Sequence, residues 1–353
     1  MTTHSTTTPL RVVQWTTGIV GSSALRSILD DPRLELVGVF AHGAAKVGQD
    51  AGVIAGREPV GVIATDDVDA LLGLQPDCVV YMPHWPDIAV MERILANGIN
   101  IVTTARLVNG EHYPDGAGKR LVAAAEAGGA TLCGTGMNPM LVPTVALAAT
   151  GMCKTVRHML ILESLDCAMY GSAGTWEAYG FGKFISPDEV HDDLLAAEPD
   201  YFEMLDAIAR SMHVELDEHI LHVELATAGA DRDLGYMHIP KGSMSGLDAR
   251  WIGLTEGREF VELRTVWKLG SIFGHHDTPD WPILHAYRID VQGDPNVHMK
   301  LSFTPEDLAD FDIGRTTSMP AVNAISATVA AAPGVVTPAD LTLITARGAP
   351  TAR

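Results

Sequence analysis

Residues that could do chemistry are gathered first in the stretch RVVQWTTGIVG, residues 11–21. Val12, Val13 and Trp15 read as a buried strand. A tight turn follows, and a helix opens at Val20 with Ala24, Leu25, Ile28 and Leu29 on one face. A strand, a turn of small residues and a helix N-terminus form an anion site, because free N–H groups and the helix dipole converge there. The dinucleotide-binding form of this turn is G-x-G-x-x-G. Here the spacing is Thr16-x-Gly18-x-x-Gly21, with Thr in place of the first glycine. Gly18 allows the backbone to approach a pyrophosphate, and Gly21 allows close helix–strand packing. Thr16, Thr17, Ile19 and Val20 are then expected to contact the same ligand, mainly through backbone N–H groups. A purely structural strand–helix turn is the competing reading.

Other candidates are spread along the chain. Asn138 and Pro139, in GTGMNP, could meet a bound dinucleotide or simply cap a helix beginning at Pro139. Thr104, Ala105 and Arg106 would sit beside the same ligand. Glu111 lies in a loop with His112 and Tyr113 and would serve as an acid–base if burial raised its pKa. Glu163 and Tyr170 are further acid–base candidates. Met140, Met169, Trp176 and Tyr179, with Phe181, are either core or the wall of an apolar substrate pocket. His275-His276-Asp277 and His219-x-x-His222 lack a third ligand at a recognisable spacing, so no metal is expected. No G-x-S-x-G elbow occurs, which disfavours a serine hydrolase.

These residues need a scaffold, and the bulk composition bounds it. A chain of 353 residues suits two domains, and 47% hydrophobic with 19% charged residues is ordinary for a globular protein. Net charge is −20, which argues against nucleic acid or an anionic membrane as the main partner. Mean hydropathy is +0.14, and no apolar run approaches the roughly 18 residues of a membrane span. The first nine residues read as a disordered tail, not a secretory signal. Cys78, Cys133, Cys153 and Cys167 stand singly with no C-x-x-C, as expected of free thiols in a cytoplasmic protein.

From residue 10 to 150, apolar strand candidates at 11–16, 34–40, 61–65, 78–83, 100–105 and 130–136 alternate with helical segments. The helices expected are Asp66–Leu74, Asp87–Asn97 and Gly116–Ala127. This pattern predicts a doubly wound parallel sheet of Rossmann type, an α/β domain. Such a sheet binds ligands beyond the carboxyl ends of its strands. That draws attention to Thr16–Gly21, Phe40–Lys46, Met82-Pro83-His84-Trp85, Thr103–Arg106 and Gly134–Pro139. Residues 151–315 read as a second, mixed α+β domain, to which the resemblance described below assigns the substrate and the oligomer contacts. It opens with a long strand, continues with two or three helices, and then has strand candidates at 213–227, 246–255, 258–269, 284–291 and 297–304. These read as antiparallel. Residues 316–353 hold a helix over 320–331 that returns to the first domain.

The second strand ends Phe40-Ala41-His42-Gly43, with no acid until Asp50. NAD-selective folds usually place a carboxylate there. Its absence permits NADP, whose 2′-phosphate His42 and Lys46 could meet, so NADP is the expected cofactor and NAD the alternative.

Five stretches together carry a family resemblance: RVVQWTTGIVG, KVGQDAGVIAG (46–56), VTTARL (102–107), GTGMNP and PAVNAISATVAAAPGVVTP (320–338). In this order they resemble the dihydrodipicolinate reductase superfamily, and within it the branch of 2,4-diaminopentanoate dehydrogenase and the native NAD(P)H-dependent amine dehydrogenases. The resemblance implies a Rossmann domain followed by a mixed C-terminal domain, and a homodimer or larger oligomer. It implies reversible hydride transfer to the C=N or C=O carbon of a small apolar ketone or imine, and Asn323 as a further cofactor contact. Departures matter. The paired histidines and lysine of true dihydrodipicolinate reductases are missing from the segment 163–175, which removes lysine biosynthesis as the task. Amine dehydrogenases carry a glutamate soon after the strand ending Thr-Thr, whereas Thr103-Thr104 is followed here by Ala105-Arg106. Carbonyl reduction without amine chemistry, or a non-catalytic NADP-binding redox sensor, are the rival readings.

Overall fold

The computed structural model describes residues 8–270, 281–304 and 312–348. The chain divides into two compact units, Met1–Leu141 with Asp312–Arg353, and Val142–Phe311. Most of the tail expected over residues 1–9 and the histidine pair at 275–276 lie outside the described residues.

The first unit is built on a seven-stranded sheet. Its strands are β1 (Leu10–Trp15), β2 (Leu34–Phe40), β3 (Ala64–Thr65), β4 (Cys78–Tyr81), β5 (Asn100–Thr103), β6 (Thr131–Gly134) and, late in the chain, β15 (Gly334–Val336). They pair in the order β15-β6-β5-β4-β1-β2-β3, every pair parallel. Helices are α1 (Ile19–Asp30), α2 (Ala51–Ile54), α3 (Val68–Gly73), α4 (Ile88–Ala96), α5 (Ala117–Gly128) and α10 (Arg315–Ala330). Successive strand residues point to opposite faces, so each strand feeds two cores. Val13, Trp15, Val79 and Ile101 pack with Met91 and Ile94 of α4 and Leu121 of α5. Val12, Val80 and Val102 pack with Ala24 and Ile28 of α1 and Val322 and Ile325 of α10. α4 begins where the Asp87 carboxylate accepts the Val90 N–H, an N-cap the sequence signals.

Three local expectations need correction. The strand expected at 61–65 shrinks to Ala64–Thr65, because Asp50 accepts the N–H groups of Gly52, Val60 and Gly61 and ties this segment into a loop. The last helix begins at Arg315, not 320, with Pro320 inside it. β15 was not expected at all; a Gly-Val-Val run too short to show a period completes the sheet by pairing with β6.

The second unit begins with α6 (Val142–Thr150) and β7 (Val156–Asp166). Helices α7 (Ala173–Ala178), α8 (Pro187–Ala197) and α9 (Pro199–Ser211) follow, and Ser186 and Glu189 close a capping box on α8. The remaining strands are β8 (Glu218–Thr227), the short pair β9 (Arg232–Asp233) and β10 (His238–Ile239), β11 (Met244–Thr255), β12 (Arg258–Lys268), β13 (Ala286–Gly293) and β14 (Val297–Leu301). Five of them join β7 in a six-stranded sheet of order β14-β13-β7-β12-β11-β8. The antiparallel expectation fails at its centre, where β7 and β12 run parallel; the ninety residues between them make the crossover. The expected fold class therefore holds: a Rossmann-type α/β unit and a mixed α+β unit.

Candidate active site

At the opening turn, Thr16 adopts φ 70°, a left-handed conformation that a β-branched residue rarely takes. Two contacts hold it. The buried Gln14 side chain donates from Nε2 to the Thr16 carbonyl at 2.9 Å, and Gly21 lies against the same carbonyl. Gly18 precedes α1 with no side-chain cap, and a Cβ built on it would meet nothing within 4 Å. The first-turn N–H groups of α1 thus have no side-chain cap at Gly18, and the space beside that residue is open. Lys46 Nζ donates to the Thr17 carbonyl at 2.5 Å, which places an ammonium at the turn.

At the end of β2, Phe40 stacks on Trp15 at 4.2 Å, and the exposed His42 meets Phe40 edge-on at 4.8 Å. Asp50 is committed to its loop: the N–H of Val60, then those of Gly61 and Gly52, hold its carboxyl below the usual range.

Beyond β4, Met82 is buried, Pro83 half-buried and His84 exposed as a whole residue, with its ring packed on Trp85. His84 packs edge-on against Trp85 at 4.4 Å, and the Arg106 guanidinium lies over the same indole at 5.9 Å. Desolvation first, and then the Arg106 charge, push the His84 imidazole down to about 4, so it is neutral at pH 7. The Tyr113 hydroxyl donates to the Arg106 carbonyl and fixes this loop. Thr104 is half-buried and Ala105 fully buried. Beyond β6, Thr135 is 4% exposed, and Gly136 lies near Thr104 and Thr317 of α10. Asn138 sits in a π-type turn, Met137–Leu141, rather than capping a helix that begins at Pro139. Nothing is described of the Pro139 side chain. Met140 is buried, and Asn323 is half-buried on α10. Glu111 is exposed, so the burial on which its acid–base role depended is not there.

In the second unit, Glu163 is 6% exposed on β7. Trp267 Nε1 donates to its carboxylate at 3.0 Å, and Tyr287 on β13, directly across the strand pair, hydrogen-bonds it as well. Burial, and then the Glu163 charge, hold the Tyr287 hydroxyl well above the ordinary tyrosine range, so it stays protonated and donates. Trp267 packs edge-on against Tyr179 at 5.0 Å and Trp176 at 5.8 Å, and Tyr170 against Trp176 at 5.8 Å. The structure thus brings Glu163, Trp176 and Tyr179 into one aromatic cluster, with Tyr170 on its flank. Met169, expected to line a pocket, is 59% exposed and does not join it. Trp267 and Tyr287 were missed, because only strand pairing across about a hundred residues links them to Glu163. His219 is engaged with Asp206 at 2.8 Å, and His222 is exposed.

The residues of the first unit fit a dinucleotide. The Thr16 and Thr135 hydroxyls, at the carboxyl ends of β1 and β6, are buried and lack a hydrogen-bond partner among the described residues. A parallel sheet with an open glycine turn and orphaned hydroxyls at its strand ends is the arrangement of a dinucleotide-binding unit. Comparison with known proteins sharpens the class. The family model for the 2,4-diaminopentanoate dehydrogenase C-terminal domain matches residues 140–351, more than half of the chain, and the chain belongs to that family. It is similar to an amine dehydrogenase of Streptomyces virginiae, 27% identical over 96% of this chain and 98% of that one. A shorter likeness, 39% over 56 residues, links it to 4-hydroxy-tetrahydrodipicolinate reductase of Paraburkholderia phymatum, covering 16% of this chain and 21% of that one. In fold it resembles the solved amine dehydrogenase of Mycobacterium smegmatis, with a TM-score of 0.80, 22% identity and 98% of both chains covered. Among the described residues, no helix is long and apolar enough to cross a membrane.

Proposed function

We propose that this chain is an NADPH-dependent amine dehydrogenase, interconverting a small, fairly apolar ketone plus ammonia with the corresponding amine. The observation that carries this reading is Glu163, a buried carboxylate held by Trp267 and Tyr287 beside the aromatic rings of Trp176 and Tyr179. A buried carboxylate beside aromatic rings suits an ammonium or iminium nitrogen, which its charge attracts. The apolar wall suits an alkyl or aryl substituent rather than a second acid.

The bound nucleotide would supply the hydride. The chain's own residues do the rest. Gly18 and the first turn of α1 hold the pyrophosphate. Lys46, fixed on the Thr17 carbonyl, offsets the additional phosphate of NADP in a protein whose net charge is −20. With no carboxylate at the end of β2 and Asp50 engaged elsewhere, nothing there repels that phosphate. Thr16, Thr17, Ile19, Val20, Gly21, His42, Met82, Pro83, His84, Thr104, Ala105, Arg106, Asn138, Pro139 and Asn323 complete the proposed cofactor contacts. Glu163 holds the nitrogen and takes or returns its proton, with Tyr170 a flanking donor. Thr103-Thr104 is followed by Ala105-Arg106 and not by the glutamate the resemblance implies, which favours the rival reading, carbonyl reduction without amine formation. A homodimer and a cytoplasmic location belong to the same proposal; the first is supported by the family resemblance, the second by four free cysteines.

The test is turnover of NADPH and NADH with a panel of small ketones, with and without ammonium at raised pH. Ammonium-dependent oxidation of NADPH is the expected result. Ketone reduction indifferent to ammonium would select the carbonyl reductase, and cofactor binding without turnover on a broad panel would select the sensor.

A further inference from the structure

We propose that His158, Glu259 and Glu262 form a binding site for a divalent transition-metal ion on the second unit. Each offers one ligand atom, and these atoms lie within 4.8 Å of one another. The strand register explains how they meet. β11 and β12 pair Gly253 with Val261 but Leu254 with Glu259, so Phe260 is an extra residue, a β-bulge. Without it, Glu259 and Glu262 would point to opposite faces of the sheet, since side chains alternate. With it they share a face, and re-aiming a side chain is a recurrent use of bulges at functional positions. β7 pairs Met159 with Val261, which puts His158 on that same face. Glu163 lies on the opposite face, so this group is separate from the aromatic site.

A second, independent observation points to a ligand. Both ring nitrogens of His158 are shut off from solvent, and neither has a hydrogen-bond partner among the described residues. An imidazole offers one acceptor nitrogen when neutral, and leaving it unmet costs on the order of 1–3 kcal/mol. A metal ion bound to that nitrogen removes the cost. Glu262 is 5% exposed and already receives Arg250 on both carboxylate oxygens, at 2.7 and 3.1 Å. Each of those oxygens retains a further lone pair. Glu259, whose side chain is 48% exposed and 4.0 Å from Arg250, is free to swing and close the ligand spacing. The donor set of one imidazole and two carboxylates suits zinc, cobalt, nickel or manganese. Calcium and magnesium prefer six or more oxygen ligands. The water left at the open positions makes this a weak or moderate site rather than a closed structural one.

The probe is cobalt(II), titrated into full-length protein freed of any affinity tag. The expected result is one ion per chain, a visible d–d absorption band, and a melting temperature raised by roughly 3 °C or more at saturation. His158→Ala and Glu259→Gln should each weaken cobalt binding at least about tenfold and abolish the band. Glu259 is a surface residue, so its variant keeps the fold even where the His158 variant does not. His298→Ala, an exposed histidine elsewhere, should change nothing. Cobalt binding unchanged in Glu259→Gln, or no saturable binding by the wild-type chain, overturns the proposal. Neither result bears on the reductive amination proposed above, which is read by turnover.

Discussion

A Cβ at Gly21 would stand 2.3 Å from the carbonyl oxygen of Thr16, closer than any real Cβ contact, so these two residues lock the entry to α1 together. The Thr16 carbonyl is itself pinned by Gln14, so neither side can yield cheaply. Gly21→Ala should therefore cost about 1–3 kcal/mol and weaken nucleotide binding, read by thermal melts and cofactor fluorescence. Thr16→Gly should do the opposite. It removes left-handed strain of roughly 1–2 kcal/mol, partly offset by the entropy of the added glycine. A Gly21→Ala variant as stable as wild type would show that this turn relaxes more easily than its packing implies.

Lys46 tests the choice of nucleotide. Removing a charge-assisted contact worth about 1.5–3 kcal/mol should raise KM for NADPH roughly 10- to 100-fold in Lys46→Ala, while KM for NADH moves little. Steady-state kinetics with both cofactors decide it. Equal effects on the two would place Lys46 at the shared pyrophosphate or in the loop's own structure.

The pairing of Arg264 with Asp248 tests the second unit's stability. Asp248 is 3% exposed and receives Arg264 on both oxygens, at 2.9 and 2.5 Å. Arg264→Leu leaves a buried carboxylate unpaired and should cost on the order of 3 kcal/mol. Asp248→Leu with Arg264→Leu should recover most of that loss, because the uncompensated charge is gone. Chemical denaturation of the three variants measures both, and no recovery in the double variant would assign the loss to packing.

His84 carries a pH signature. Its folded-state pKa of about 4 lies below the ordinary 6.5, so between those values the unfolded chain binds more protons. Its contribution to stability is then present above pH 6.5 and lost as pH falls towards 4. Proton NMR should show the His84 imidazole neutral at pH 5.5. In Arg106→Ala the pKa should rise towards its ordinary value, since one of its two causes is removed. A His84 resonance titrating near 6.5 in the wild-type protein would contradict this.

How much of this was legible in the sequence follows the range of the signals. Period and capping are local, so Met91, Ile94 and Leu95 marked α4, and Asp87 its start. The glycine turn was equally local, though the left-handed φ of Thr16 appears only in the folded chain. β15 was invisible because three residues carry no period of their own; pairing with β6 alone makes them a strand. The loop at 50–61 depended on one carboxylate gathering three N–H groups, which no spacing rule anticipates. The neighbours of Glu163 are the clearest case. Thr265 and Tyr287 flank it in the sheet, and Trp267 bonds it, yet all three lie about a hundred residues away. Strand register put them there, and register is a property of the folded sheet. Glu111 failed for the converse reason: proximity in sequence to Thr104 and Arg106 did not bring burial.

Glu163 is where the proposed chemistry stands or falls. Glu163→Gln keeps an oxygen to accept from Trp267 Nε1 and leaves the packing of Tyr179 and Trp176 unchanged, so the fold should survive, with circular dichroism and melting temperature near wild type. The charge and the proton-accepting group are lost. The kcat/KM for amine oxidation should fall by about 100-fold or more, the usual worth of a general acid–base. Ketone reduction without ammonium, which needs no cationic nitrogen held in place, should fall far less. The pH profile separates this from a structural role: the acidic limb of amine oxidation in the wild-type enzyme reports the carboxylate, and it should vanish in the variant. A uniform loss of both activities with an unchanged profile would make Glu163 a structural acid bonded to Trp267 and Tyr287, and would return the search for the proton carrier to the loop around Arg106.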